Sequence, residues 1–209
     1  MSTPHPCTDC GNQQTYIRLL LYVDDKIHCS NCQQWIETFE KNLTTEYKVS
    51  LDNLSNKFKG LDLELTEAGL FINQEKLIMK MAKEYEVETM RYYLTPLPEN
   101  LKLDLNSTEL HDVQRYQAIV GGILYVASNS RPDVAFSVNS LSSVSSSPTK
   151  EAYRLGKRVI KYLADTKNLC LFYPRNHQIK ENVLECYSDA SFASDPKSHL
   201  KSTAGWFFI

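Results

Sequence analysis

Between Tyr116 and Leu163 apolar residues return three times at helical spacing, the strongest constraint anywhere in the chain on what it can fold into. Tyr116, Ile119, Val120, Ile123, Leu124 and Ala127 keep to a 3.6-residue period. Val134, Val138, Leu141 and Val144 repeat it amid many serines. "SSPTKEAY" then offers Ser147 as a cap and Pro148 at the first position of a helix running through Leu163. Gly121-Gly122 lies inside the first of these helices. Glycine there costs about 1 kcal/mol against alanine, so the pair marks a close approach by another element.

The rest of the chain mixes short strands with amphipathic helices, which predicts an α+β fold. Leu19 to Val23 form a continuous apolar run that reads as a strand buried on both faces. It ends in a turn at Asp24-Asp25, with Lys26 to Cys29 as the returning strand. Trp35, Ile36, Phe39 and Leu43 mark a helix. Residues 56–65, "NKFKGLDLEL", alternate as a half-buried strand, and Glu67-Ala68-Gly69 turns them into Leu70-Phe71-Ile72. Leu77, Ile78, Met81, Ala82 and Tyr85 give the next helix. Two prolines make "LTPLPENLKLD", 94–104, an extended surface connection. "CLFY" (170–173), "LECYSDAS" (184–191) and "GWFFI" (205–209) read as strands. Trp35 and Trp206 read as core residues. The last strand needs a sheet and a covering helix that the chain does not go on to supply, so this unit reads as cut short.

With 209 residues, 42% of them hydrophobic, the chain can bury a real core in one or two domains. A formal charge of −2 excludes a disordered polyanion and an overall basic nucleic-acid binder. No apolar run nears the roughly 18 residues of a membrane span, and the N-terminus lacks the pattern of a secretory signal. The expectation is a cytoplasmic protein whose six cysteines are thiols or metal ligands.

Three clusters carry chemistry. Asp24 and Asp25 are adjacent like charges in a tight turn, which a divalent cation would neutralise. Cys7-x2-Cys10, then 18 residues, then Cys29-x2-Cys32 satisfies a four-thiolate zinc pattern. It supports an alternative reading as a zinc-ribbon-containing nucleic-acid-binding or interaction module. Arg154, Lys157, Arg158 and Lys161 share one helical face, with Leu155, Val159 and Tyr162 opposite. Such a stripe either tracks phosphates or is a solvated face. None of the five histidines has a partner at ligand or catalytic spacing.

An ordered series of segments resembles the Pol polyprotein of copia-type LTR retrotransposons. They are "LLLYVDD", "FKGLDLEL", "GLFINQEKLIMKMAKEY", "YQAIVGGILYVASNSRPDVAFSVNSLS", "AYRLGKRVIKYLADTKNLCLFY" and "CYSDASFASDPKSHLKSTAGWFFI". The resemblance implies the end of a reverse transcriptase, the connection and the start of a ribonuclease H. It divides the chain into an unmatched segment (1–16), a palm and primer-grip/thumb part (17–93), a helical connection (94–173) and a ribonuclease H-like start (174–209). The implied fold is a partial palm hairpin with thumb and connection helices, followed by a truncated ribonuclease H-like α/β unit.

The same resemblance makes Asp24 a magnesium ligand of the polymerase site and Asp25 its neighbour, with Tyr22 and Val23 under the primer end. Asp189 becomes the first acidic ligand of the ribonuclease H site. RNA, DNA or their hybrid are the implied partners, with the remainder of a retrotransposon polymerase, and virus-like-particle or nuclear association is an alternative location. The pattern departs from the family in one respect. A two-metal site needs a further aspartate from an earlier strand, and Asp9 is the one acidic residue before the Asp-Asp turn. The expectation is therefore an ancestral magnesium site, weak or lost, in a chain inactive alone or completed in trans by another chain.

Overall fold

The computed structural model describes residues 15–51, 57–99, 101, 108–175, 185–191 and 203–208. It divides into two compact units, Met1–Tyr173 and Pro174–Ile209.

The larger unit begins with an antiparallel hairpin, β1 (Ile17–Tyr22) and β2 (Asp25–Ser30), followed by α1 (Gln33–Glu46). Next come β3 (Lys57–Phe58), β4 (Leu61–Leu65) and β5 (Gly69–Asn73), then α2 (Glu75–Glu84) and α3 (Val113–Asn129). A 3-10 turn, Pro132–Val134, leads into α4 (Ala135–Ser142), and α5 (Lys150–Asp165) is followed by β6 (Leu171–Pro174). Strands β3, β4, β5 and β6 form one sheet in that order. The smaller unit is an antiparallel hairpin of β7 (Cys186–Ser191) and β8 (Thr203–Phe208). The fold is mixed α+β, with small sheets and five α-helices among the described residues.

The predicted helical periodicity is realised as one core. Ile78, Ile119, Ile123, Leu141, Leu155, Ile160 and Leu163 are each at most 1% exposed and belong to a single cluster spanning α2 to α5. The expected boundary at 93/94 falls inside this cluster, because Val87 and Leu97 both join it. The glycine pair splits in role. A Cβ on Gly122 would come within 2.8 Å of Met81 on α2, whereas one on Gly121 would meet nothing. Gly156 makes the matching close approach of α5 to α3, where a Cβ would lie 2.8 Å from Ile119.

A polar network ties the end of this core together. Arg131, 1% exposed, grips Asp133 with two hydrogen bonds of 2.9 and 2.7 Å and donates to the carbonyl and hydroxyl of Thr166 at the end of α5. Tyr162 donates to the same Asp133 carboxylate at 3.0 Å. Burial pushes the Asp133 pKa up, but the Arg131 and Tyr162 hydrogen bonds and the Arg131 charge outweigh it and hold the carboxyl below its ordinary value.

Several expectations are corrected. The apolar strand β1 is not buried on both faces: Leu20 and Leu21 are 57% and 59% exposed. Among the described residues β2 is its one strand partner, and α1 packs against β2, where His28 meets Glu40 at 3.0 Å and Phe39. The turn lies one residue earlier than expected, at Val23-Asp24, since Asp25 is already paired with Tyr22. The single strand expected over 56–65 is broken by Lys59-Gly60, both at positive φ, as a two-residue hairpin turn of the primed kind requires. The α5 cap is Thr149 rather than Ser147: its hydroxyl accepts from the Ala152 amide. Pro148 precedes the helix, its carbonyl taken by the Leu110 amide. The 94–104 connection is not wholly at the surface, because Leu97 is buried. Trp35 is half-buried and Trp206 is 71% exposed, so neither is a core residue.

Candidate functional site

The β1–β2 hairpin places its two aspartates differently. Asp24 sits in the two-residue turn at the exposed tip, beside Val23, which has φ 51° and is 86% exposed. A β-branched residue in the left-handed region is strained by about 1–3 kcal/mol. Asp25 instead opens β2, and its carboxylate accepts from the Lys59 amide at 3.4 Å.

Lys59 is a junction that sequence reasoning missed. Its amide faces Asp25, its ammonium lies 4.8 Å from the centre of the Tyr22 ring, and its carbonyl accepts a short hydrogen bond from the Tyr125 hydroxyl of α3. Tyr22 also meets Phe58 edge-on at 6.5 Å. The tip is therefore tethered through the β3–β4 turn to the helical core. The signal available was "KG" inside an otherwise alternating strand, since Lys-Gly before a new apolar alternation marks a turn.

Carboxylate oxygens suit a hard divalent cation. The donor set around the tip is short, however: the described residues hold no group of three or more His, Cys, Asp or Glu side chains able to share a metal. Asp189 lies in β7 opposite Gly205, exposed, its carboxylate accepting from the Ala190 amide at 2.9 Å. Of the thiolate pattern, Cys29 is exposed on β2 and Cys32 is buried at the start of α1, while Cys7 and Cys10 lie outside the described residues.

The basic stripe of α5 is only partly open. Leu155, Val159 and Tyr162 do face the core. Lys161 is paired with Asp165 at 2.8 Å and donates to the Glu88 carbonyl. Arg158 donates to the carbonyl and hydroxyl of Thr95 and stacks 4.4 Å from the centre of the Tyr93 ring. Arg154 is exposed, with Glu151 at 3.8 Å, and Lys157 is half-buried.

Comparison with known proteins decides the relationship. The chain is 30% identical over 194 residues to the retrovirus-related Pol polyprotein from transposon RE1 of Arabidopsis thaliana, a match covering 92% of this chain and 13% of that protein. It is 29% identical to the corresponding RE2 polyprotein, with the same coverage. Over more than nine-tenths of its length the chain is similar to the Pol polyproteins of copia-type retrotransposons. The polyprotein from transposon TNT 1-94 of Nicotiana tabacum is 26% identical over 206 residues, 94% of this chain and 15% of the relative. The chain thus spans between 13% and 15% of the length of these Pol polyproteins. No protein-family model matches it, and no solved structure does.

Proposed function

We propose that this segment of a Pol polyprotein carries one corner of an RNA-directed DNA polymerase site and one corner of a ribonuclease H site, and turns over neither by itself. The observation that carries the reading is Asp24, held at an exposed two-residue hairpin tip with Asp25 beside it and turned toward Lys59. Asp24 and Asp25 would hold magnesium, which when bound supplies charge stabilisation to a phosphoryl-transfer reaction. Two neighbouring carboxylates are too few for a two-metal centre, so the missing acidic ligands come from another part of the polyprotein or another chain. Tyr22, pinned between Phe58 and Lys59, sets the direction of the tip toward a primer end. Asp189, on a strand paired with β8, is the ribonuclease H counterpart and is incomplete in the same way.

The test is primer extension with magnesium, using this chain and a longer Pol polypeptide that includes the preceding region. The chain alone is expected to be inactive. Asp24→Asn in the longer polypeptide is expected to cut extension by about a hundredfold or more, the scale of losing a charge-stabilising group. Extension by the chain alone would overturn the incompleteness, and an unimpaired Asp24→Asn polypeptide would overturn the metal role.

A further inference from the structure

The segment between α2 and α3 meets α5 in a cluster of three arginines, sparsely matched by carboxylates among the described residues. Val87, fully buried, and Leu97 anchor two ends of this stretch in the core, and Arg158 and Lys161 of α5 hold it from the side through Thr95 and Glu88. What it displays outward is Arg91, Tyr92 and Leu94, the last two 60% and 83% exposed. Tyr93 turns inward, with the Arg91 guanidinium 5.2 Å and the Arg158 guanidinium 4.4 Å from its ring centre.

Among the described residues no carboxylate lies within ion-pair distance of Arg91 or Arg158, and Arg154 has Glu151 alone, at 3.8 Å. The Arg158 Nε is buried without a hydrogen-bond partner. Burial lowers the Arg158 pKa; Tyr93 opposes this, while the nearby charges of Arg91 and Arg154 add to it. Three guanidinium groups gathered on a chain of net charge −2 represent local repulsion that an arriving anion relieves. Guanidinium forks match phosphate oxygens, and an exposed aromatic ring beside them matches an unpaired base.

We propose that Arg91, Arg154 and Arg158, with Tyr92 as stacking platform, form a binding site for single-stranded nucleic acid on the helical core. A strand crosses this face with adjacent phosphates on the arginines and one base on Tyr92. Duplex binds less well, because its bases are already stacked and cannot cover the ring. Lys161, committed to Asp165, takes no part. This reading shares only the nucleic-acid context of the polymerase proposal and needs no metal.

The experiment is fluorescence anisotropy of a labelled 20-nucleotide single strand and the matching duplex with the full chain, in chelator and across salt. The Arg91→Glu/Arg154→Glu variant leaves the buried contacts of Arg158 in place. It is expected to weaken single-strand binding at least tenfold and to lower the salt slope by about 1.4, from about 0.7 for each phosphate no longer neutralised. Tyr92→Ala is expected to reduce single-strand binding about five- to tenfold and duplex binding little. Lys80→Glu/Lys83→Glu, at two exposed sites on α2, matches the change in net charge and is expected to change little. Unchanged affinity in the Arg91→Glu/Arg154→Glu variant, or an equal loss in Lys80→Glu/Lys83→Glu, overturns the site. An equal effect of Tyr92→Ala on duplex overturns the stacking role. Because the assay contains no metal, its failure leaves the Asp24 reading standing, and the reverse.

Discussion

The helical core and the β1–β2 hairpin contain the same kinds of side chain and treat them oppositely. Ile119, Ile123 and Leu155 are at most 1% exposed, whereas Leu20 and Leu21 stand more than half exposed. Four helices with facing apolar stripes cover one another, while a two-stranded ribbon offers each strand one neighbour and leaves its faces to whatever packs on them. The difference teaches that stability resides in α2 to α5, and that the aspartate-bearing tip borrows its position from them through Lys59 and Tyr125.

The largest expected effect strikes the helical core: Leu155→Ala is expected to cost about 2–5 kcal/mol in chemical denaturation from poorer packing and a cavity. Arg131→Met follows, at about 1–3 kcal/mol, because it removes the hydrogen bonds of a buried guanidinium but leaves an Asp133 carboxylate that is partly solvated. Gly156→Val tests the close approach of α3 and α5 by overpacking against Ile119, with an expected loss of about 1–3 kcal/mol. Equal tolerance of Gly156→Val and Gly121→Val would break the claim that one glycine is a contact and the other is not.

Acid supplies a gentler probe. The Asp133 carboxyl is held below its unfolded value of about 3.9, so its contribution is fully present above that pH and is lost as pH falls through the lower folded value. Thermal melts are therefore expected to separate the native chain from Asp133→Asn at pH 7 and to converge as acid protonates the folded carboxyl below the ordinary carboxylate range. A gap that persists in acid would sink this assignment. The smallest effect belongs to the hairpin: Leu20→Ser is expected to shift stability by no more than about 0.5 kcal/mol. A loss as large as that of Leu155→Ala would abolish the contrast between the two regions.

Periodicity made the helices legible, because a stripe at Tyr116, Ile119 and Ile123 or at Leu155 and Val159 has one economical way to be buried. The aspartate pair was legible as the end of a strand, though its turn was displaced by one residue. That displacement hangs on Val23 taking a left-handed conformation, which a β-branched residue does not advertise. The Arg131 network left a weak local trace in "RPD", but its other members, Tyr162 and Thr166, lie about thirty residues away on α5. Arg91 carries no signal of its own, for an isolated arginine ahead of Pro96 and Pro98 has no period to betray it.

What the chain determines unaided is the set of apolar stripes, the strand alternation and the placing of acidic pairs at strand ends, since each depends on neighbours within one or two turns. The tertiary structure alone decides which carboxylate faces Lys59 and, among the described residues, which arginines lack a carboxylate and which apolar strand stays exposed. Those outcomes depend on elements many residues apart meeting in space, where charge and burial act through distance and not through sequence order.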